Sequence, residues 1–381
     1  MKGSHALDAA GLRELFDRPS DLTFGIEEET MALDPETLDL APRARELLAG
    51  LGEETAYKLE LPASQIEIVT PPCPSVAEAV EDLAAARGRL VRGLAGSALV
   101  MAAGVHPFAA PEGELHDWGR YERVAREYAP VSRRQLVCGL HVHVGLSGAE
   151  RALAVYNAAR SWLPELAALG ANAPLFGGRD SGMASVWPLI SGLLPRQGVP
   201  PAYASWEELA GDLRWGASAG RLDRLLGWWW ELRLHAELGT IELRVPDAQS
   251  TVSDVGAVAA VGASLLVWLG ERFDADDLAP PDPAWRIAEN RWSAARDGVD
   301  GTLLDLGSGL ARPTRERLGE LLDLLTPTAE RIGAASQLAD ARGLVERNGA
   351  YRQRELVAEG DARSVVAELS RCFAEPEAAG S

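Results

Sequence analysis

Cysteine is scarce in this chain: three residues among 381, Cys73, Cys138 and Cys372, odd in number and without CxxC spacing. That excludes a disulfide framework and a cysteine-built zinc site, and it points to a reducing, cytoplasmic setting. Basic residues are short as well, with 37 Lys and Arg against 56 Asp and Glu and a net charge of −19. A phosphate backbone is gripped by a basic face, so no general affinity for nucleic acid is expected. An acidic protein can still take a nucleotide where metal ions bring the positive charge. The N-terminal stretch MKGSHALDAAGLREL has no apolar segment of the secretory kind. The longest apolar run, Val255–Gly270, is 16 residues long and rich in Gly and Ala. It falls short of a bilayer span and reads as a buried helix, so no membrane partner is expected. A GxxxxGK[ST] loop is missing too, and nucleotide phosphates would need another cradle.

What the chain does contain is one pattern used four times. In Phe24–Met31 (FGIEEETM), Gln65–Val69 (QIEIV), Leu140–Gly145 (LHVHVG) and Thr240–Val245 (TIELRV), apolar residues alternate with polar or charged ones. Side chains on a strand alternate between the two faces of the sheet. Glu27 therefore shares a face with Glu29, as do Gln65 with Glu67, His141 with His143, and Glu242 with Arg244. The opposite faces carry Ile26, Ile66, Ile68, Val142, Val144, Ile241, Leu243 and Val245. A sheet with one face for packing and one of carboxylates and imidazoles reads as a metal-lined active site.

Each strand alone has a plainer reading. An ExE is usually a solvated edge, and the ExR of IELRV is usually a cross-strand ion pair. Two histidines on one strand face are harder to explain as plain surface. The combination is far more specific than any member, because four separate strands would have to share the pattern by chance. Carboxylates gathered this closely repel one another unless protonated or neutralised by cations. A carboxylate-rich set with one or two imidazoles suits Mg²⁺ or Mn²⁺ over zinc. Arg244 projects into the same space and suits a phosphoryl group in transfer. Arg233, in WWWELRLH, has the parity to face the cavity and contact a cofactor, whereas the tryptophan run reads as core packing.

Along the chain, strands are expected at 22–32, 65–70, 99–104, 137–146, 228–235 and 239–245. Helices are expected near 9–18, 42–51, 76–96, 119–130, 149–170 and 205–213, with 171–204 a Gly/Pro-rich working loop. The remainder reads as helices at 252–271, 283–297, 313–332, 336–347 and 361–373. Ser75 makes an N-cap for helix 76–96, with Glu78 completing a capping box. The metal-face strands span residues 24 to 245, so one sheet must be assembled across that range. The expected fold is α+β, a mostly antiparallel sheet with one face lining the cavity and helices on the other. It forms a single catalytic domain over 1–373, followed by a disordered tail at 374–381.

The stretches FGIEEE, SQIEIVTPP, CGLHVHVG, GTIELRVPDAQ and ENRWSAARDG, in this order, resemble the carboxylate–amine ligase family, also called the glutamate–cysteine ligase type 2 family. Its sheet and metal site are similar to those of glutamine synthetase, and the likeness runs from about residue 20 to about 355. The resemblance implies ligation of a small carboxylate to a small amine, with glutamate and an amine such as cysteine the expected pair, driven by ATP through an acyl phosphate. It implies Glu27, Glu29, Glu67, His141 and Glu242 as metal ligands and His143 beside the nucleotide phosphates. Arg244 would steady the transferring phosphoryl group, with Glu67 also at the catalytic centre. Asn172, Arg179 and Ser181, in ANAPLFGGRDSGMAS, match the family's substrate loop. Asn290, Arg291 and Arg296 are further substrate-binding candidates, although their helical spacing equally suits a salt-bridged helix surface. Two departures bear on substrate identity. Val186-Trp187 stand where the pattern often has an arginine, and ELRLH replaces an aspartate, arginine, proline order. The rival functions are a metal-dependent hydrolase using the HxH strand and a non-catalytic paralogue binding a nucleotide or metabolite. A homo-oligomer is compatible with the sequence.

Overall fold

The computed structural model describes residues 8–18, 22–52, 55–218 and 228–375. Its strands are β1 (Thr23–Leu33), β2 (Tyr57–Leu59), β3 (Gln65–Val69), β4 (Leu99–Met101) and β5 (Leu140–Gly145), followed by β6 (Leu175–Phe176), β7 (Arg179–Asp180), β8 (Leu232–His235), β9 (Thr240–Leu243), β10 (Thr302–Leu304) and β11 (Ala311–Pro313). Seven of these form one sheet in the order β2-β3-β1-β5-β9-β8, with β4 also paired to β1, and every pairing is antiparallel. The pairs β6–β7 and β10–β11 are separate small hairpins. The α+β expectation holds, and the four patterned stretches lie side by side in this sheet.

The helices are α1 (Ala9–Asp17), α2 (Ala44–Leu51), α3 (Val76–Leu94), α4 (Gly119–Tyr128), α5 (Pro130–Arg133), α6 (Ala149–Ala159), α7 (Leu163–Leu169) and α8 (Trp187–Ser191), then α9 (Trp206–Ser218), α10 (Val252–Asp274), α11 (Ala284–Asp297), α12 (Thr314–Arg331), α13 (Ala335–Arg347), α14 (Gly349–Glu359) and α15 (Ala362–Ala374). Helix α3 begins where Ser75 Oγ accepts from the Glu78 N–H at 3.2 Å. The Glu78 carboxylate accepts from the Ser75 hydroxyl at 3.1 Å instead of from the cap's backbone, so half of the expected box forms.

Several boundaries move for local reasons. The span 149–170 is interrupted by a tight turn at Arg160–Trp162, with Pro164 in the first turn of α7. A proline there forfeits only an N–H that would be unpaired anyway. Segment 171–204 is not one open loop, because it holds β6–β7 and α8. The expected strands 228–235 and 99–104 shrink to β8 and β4. Helix α14 went unread because only Gly349, Ala350 and Gln353 of it are buried, leaving no apolar stripe to see. Beyond Glu375 the tail lies outside the described residues.

The apolar sheet face does what alternation predicts: Ile26, Ile66, Ile68, Val142, Val144, Ile241 and Leu243 are all buried. Helix α10 packs beneath β5 and α3 beneath β1 and β3, and 89% of the most apolar 18-residue stretch of α10 is buried, so its apolar length serves the core. Gly262 makes the approach feasible, since a Cβ there would lie 2.8 Å from Leu243 Cδ1. The apolar cluster is continuous from Leu12 in α1 to Phe373 in α15.

Glu28, the middle residue of the EEE run, points into this core. Arg87 of α3 meets it with Nε 2.8 Å from Oε2 and a second N–H on Oε1. The guanidinium also donates to the carbonyls of Gln249 (2.7 Å) and Ser250 (3.3 Å) and lies over the Phe373 ring. Both side chains are essentially inaccessible to solvent. Removing one partner strands a charge in an apolar medium, which costs about 3–5 kcal/mol. Arg87→Met should therefore lower the urea unfolding free energy by that amount. Glu28→Gln with Arg87→Met together should recover most of the loss, measured in the same titration.

Candidate active site

Strand register builds the polar face directly. Glu29 of β1 stands opposite Glu67 of β3, and Glu27 opposite His141 of β5. His143 stands opposite Glu242 of β9, and Glu242 opposite Arg233 of β8. Lys58 of β2 stands opposite Glu67. A row of ionisable groups therefore runs across the sheet.

Glu27 is the hub. One of its carboxylate oxygens lies 3.4 Å from His141 Nδ1 and 3.6 Å from His143 Nε2. Its other oxygen accepts from Lys58 Nζ at 3.3 Å. Two groups of potential ligand atoms, Glu27–Glu67–His141 and Glu27–His143–Glu242, each fall within 4.8 Å of one another. The donor set fits a cation on an independent observation: His143 Nε2 is buried and has no hydrogen-bond partner among the described residues. A buried imidazole nitrogen without a partner costs free energy that a coordinated ion would offset. Its other nitrogen, Nδ1, is 3.0 Å from Thr240 Oγ1, which orients the ring.

The charges on this face are unequal. Burial pushes the Glu27 carboxyl up, but the imidazoles of His141 and His143 beside it outweigh that and hold it well below the usual range. Burial is likewise overcome at Glu242, whose carboxyl is held down by Arg233 and Arg244. Arg233 reaches it with Nε–Oε2 of 2.6 Å and Nη2–Oε1 of 3.0 Å, and Arg244 donates to Oε1 as well. Burial, then the charge of Glu60, raises Glu29 to about 8. Burial, Glu60 and Glu27 raise Glu67 well above its ordinary value. Burial and the neighbouring Arg244 lower His141 to about 4, so it is a neutral donor at physiological pH.

These shifts have a sign that can be checked. Glu29 and Glu67 bind protons in the fold at pH values where the unfolded chain has released them. Stability then falls as pH rises toward about 8. Below about pH 6.5, His141 and His235 (also lowered to about 4) act oppositely, because the unfolded chain takes up their protons. Melting in a chelator should therefore move to lower temperature between pH 7 and 8.5. Saturating Mg²⁺ should flatten that slope, and calorimetry in buffers of different ionisation enthalpy should show proton release on cation binding.

Not every anticipated residue joins the cluster. Arg233 has two guanidinium nitrogens on the Glu242 carboxylate. Glu29 lies in neither ligand group; its Oε2 accepts from the Gly139 N–H at 2.6 Å. A Cβ at Gly139 would come 3.3 Å from His141 Nε2, so a side chain there would press on that imidazole. Asn172 is wholly buried. Its amide donates to Ala248 O and Ser250 Oγ and accepts from Gln353, which corrects the substrate-contact expectation to a framework role. Asn290 is corrected in the same way, because both ends of its amide bond the Leu304 backbone at 2.7 Å. Arg291 is buried against Glu231, with Nε at 2.9 and 3.0 Å from the two oxygens. Ser181 Oγ bonds Pro174 O at 2.7 Å and closes the β6–β7 hairpin, on which Arg179 is exposed. Arg296 is the exception: exposed and paired with Asp297, it lines a polar hollow of about 480 Å³ with Gly182, Asp300 and Arg354.

Sequence reading missed Lys58 and Glu60. The signal was present, since YKLEL alternates as the other strands do, but a three-residue strand is too short to stand out. Thr240 and His235, whose ring lies 5.6 Å from that of His143, were missed because their role exists only beside another strand.

The family model for glutamate-cysteine ligase family 2 matches residues 23–370. The chain belongs to this family. A protein of Rubrobacter xylanophilus provisionally named glutamate–cysteine ligase 2-3 is 38% identical over 363 residues, covering 92% of this chain and 97% of that protein. A Mycobacterium ulcerans protein provisionally named glutamate–cysteine ligase 2 is 34% identical over 360 residues, covering 92% and 91%. Among solved structures, the fold is similar to glutamate–cysteine ligase from Francisella tularensis in complex with AMP. The TM-score is 0.69 at 14% identity, over 94% of this chain and 90% of that one. It is also similar to a bifunctional glutathione synthetase from Pasteurella multocida, with a TM-score of 0.65 at 15% identity, over 98% of this chain and 54% of that one. As a member of this family, the chain is a ligase.

Proposed function

We propose that the chain, acting as one catalytic unit over residues 1–373, joins a small-molecule carboxylate to an amine at the expense of ATP in the cytoplasm. One observation carries the assignment to this face of the sheet: two potential ligand groups share Glu27, with Arg244 beside them. Mg²⁺ or Mn²⁺ held by Glu27, Glu67 and His141, and by Glu27, His143 and Glu242, would supply the positive charge that ATP phosphates require. Glu67 must release its proton for that set to form. Arg233 holds the Glu242 carboxylate in place, so its two oxygens stay fixed as charge on the substrate shifts.

The substrate carboxylate attacks the γ-phosphorus, ADP leaves, and the amine displaces phosphate from the acyl phosphate to give the amide. Arg244 is oriented by Glu242 and by His141 Nδ1 at 3.4 Å, which leaves its remaining N–H groups to meet the transferring phosphoryl oxygens. The protein's part is positioning and charge stabilisation. Glutamate and cysteine are the first pair to test, following the names of the relatives. The acid panel should be broad, because Val186 and Trp187, at the position where an arginine is common, are both buried.

The test is incubation of the protein, Mg²⁺ and ATP with pooled amino acids and amines, followed by mass spectrometry. Amide and ADP should appear only when both an acid and an amine are present. ATP-independent turnover, or no amide from any pair, would overturn the reading.

A further inference from the structure

Lys58 occupies a position with consequences for cation loading. Its ammonium lies 3.3 Å from Glu27 Oε1 and 3.5 Å from Glu67 Oε2. Those carboxylates, with His141, make up one of the two ligand groups. The other group, Glu27–His143–Glu242, is flanked by Arg233 and Arg244, both of which donate to Glu242. The two groups are thus neutralised differently: one by a compact ammonium on a flexible stem, the other by planar guanidiniums fixed in buried pairs. The Lys58 side chain is 49% exposed, against 9% and 16% for Arg233 and Arg244, so it alone of the three has room to swing away.

We propose that Lys58 is a positioning residue, the resident counter-ion of the Glu27–Glu67–His141 group, and that it couples cation loading to nucleotide binding. A divalent ion entering that group competes with the ammonium for the same two carboxylates. Displaced, Lys58 gives up two ion pairs and regains an anionic partner only when nucleotide phosphates arrive. Cation and nucleotide therefore each favour the binding of the other, and the coupling is reciprocal. The inference rests on the reading that this group holds the ion for ATP.

The experiment compares wild-type protein with Lys58→Met and Lys58→Arg. Mn²⁺ binding is measured by calorimetry and by the spin-resonance signal of free Mn²⁺, with and without a non-hydrolysable ATP analogue. Wild type should bind Mn²⁺ weakly alone and more tightly with the analogue. Lys58→Met should bind Mn²⁺ alone about fivefold more tightly, the worth of two half-exposed ion pairs, and the analogue's enhancement should shrink by the same factor. Lys58→Arg should stay near wild type. In a chelator Lys58→Met should melt below wild type, and the difference should vanish at saturating Mn²⁺. Equal Mn²⁺ affinity in wild type and Lys58→Met, with an unchanged analogue effect, overturns the proposal while leaving the ligase reading intact. Mn²⁺ binding by neither protein overturns the cation reading and this proposal together. Near-UV dichroism confirms folding, and Lys58→Gln replaces the methionine variant if that one fails to fold.

Discussion

Arg244→Ala should lower the rate of amide formation by about 10³-fold or more, the scale seen when an arginine facing a transferring phosphoryl group is removed. The fold should survive, because Glu242 keeps the two-point grip of Arg233 at 2.6 and 3.0 Å. Binding of Mn²⁺ and of a non-hydrolysable ATP analogue should change far less than the rate. That split distinguishes loss of charge stabilisation during transfer from loss of the site itself. Arg244→Lys should recover only a small part of the activity. Lysine keeps the charge but loses the fork that bonds Glu242 and reaches His141 while still offering N–H groups outward. Near-wild-type turnover in the alanine variant would remove Arg244 from the mechanism.

Glu27→Gln should be as damaging for a different reason. Glu27 is the one residue common to both ligand groups, so a single loss of charge weakens both at once. Losing a ligand outright should exceed the roughly 10- to 100-fold cost of losing an outer-shell partner, and here it applies twice. Calorimetry should show Mn²⁺ affinity down by at least about 100-fold, with amide formation undetectable. By contrast, Glu29→Gln, which belongs to neither ligand group, should cost much less cation affinity. It should also flatten the pH dependence of melting in a chelator, since the Glu29 carboxyl raised to about 8 supplies part of that slope. If Glu27→Gln and Glu29→Gln prove equally mild, the cation is held elsewhere.

The alternating stretches were legible because parity needs only local information. Once FGIEEE, QIEIV, LHVHVG and IELRV are strands, Glu27, His141, His143 and Glu242 must share faces with their neighbours two residues away, and Ile26, Val142 and Ile241 must oppose them. The structure bears this out in the buried aliphatic face over α10. Misread residues fail for an equally physical reason. Asn172, Asn290, Arg291 and Ser181 are polar residues in a recognisable context, yet a polar side chain serves a buried backbone as readily as a ligand. Which of the two it does depends on a partner such as Leu304, Gln353 or Glu231, remote in sequence. Arg233 had the right parity, and Glu242, which lies directly across from it, could not be read as its partner from one strand alone.

Strand faces, the pairing of carboxylate with imidazole residues, the lack of a CxxC or P-loop motif, and the family are all legible in the order of residues. Periodicity, composition and motif order are properties of the chain read in one dimension. Folding alone makes Glu27 common to both groups of potential ligand atoms, buries Glu28 against Arg87 and sets Lys58 between two carboxylates. It also decided that Arg233 serves a carboxylate. Strand order and register bring residues 27, 58, 67, 143 and 242 within a few ångströms, and electrostatic interaction depends on that distance and on burial, neither of which the sequence of any one strand contains.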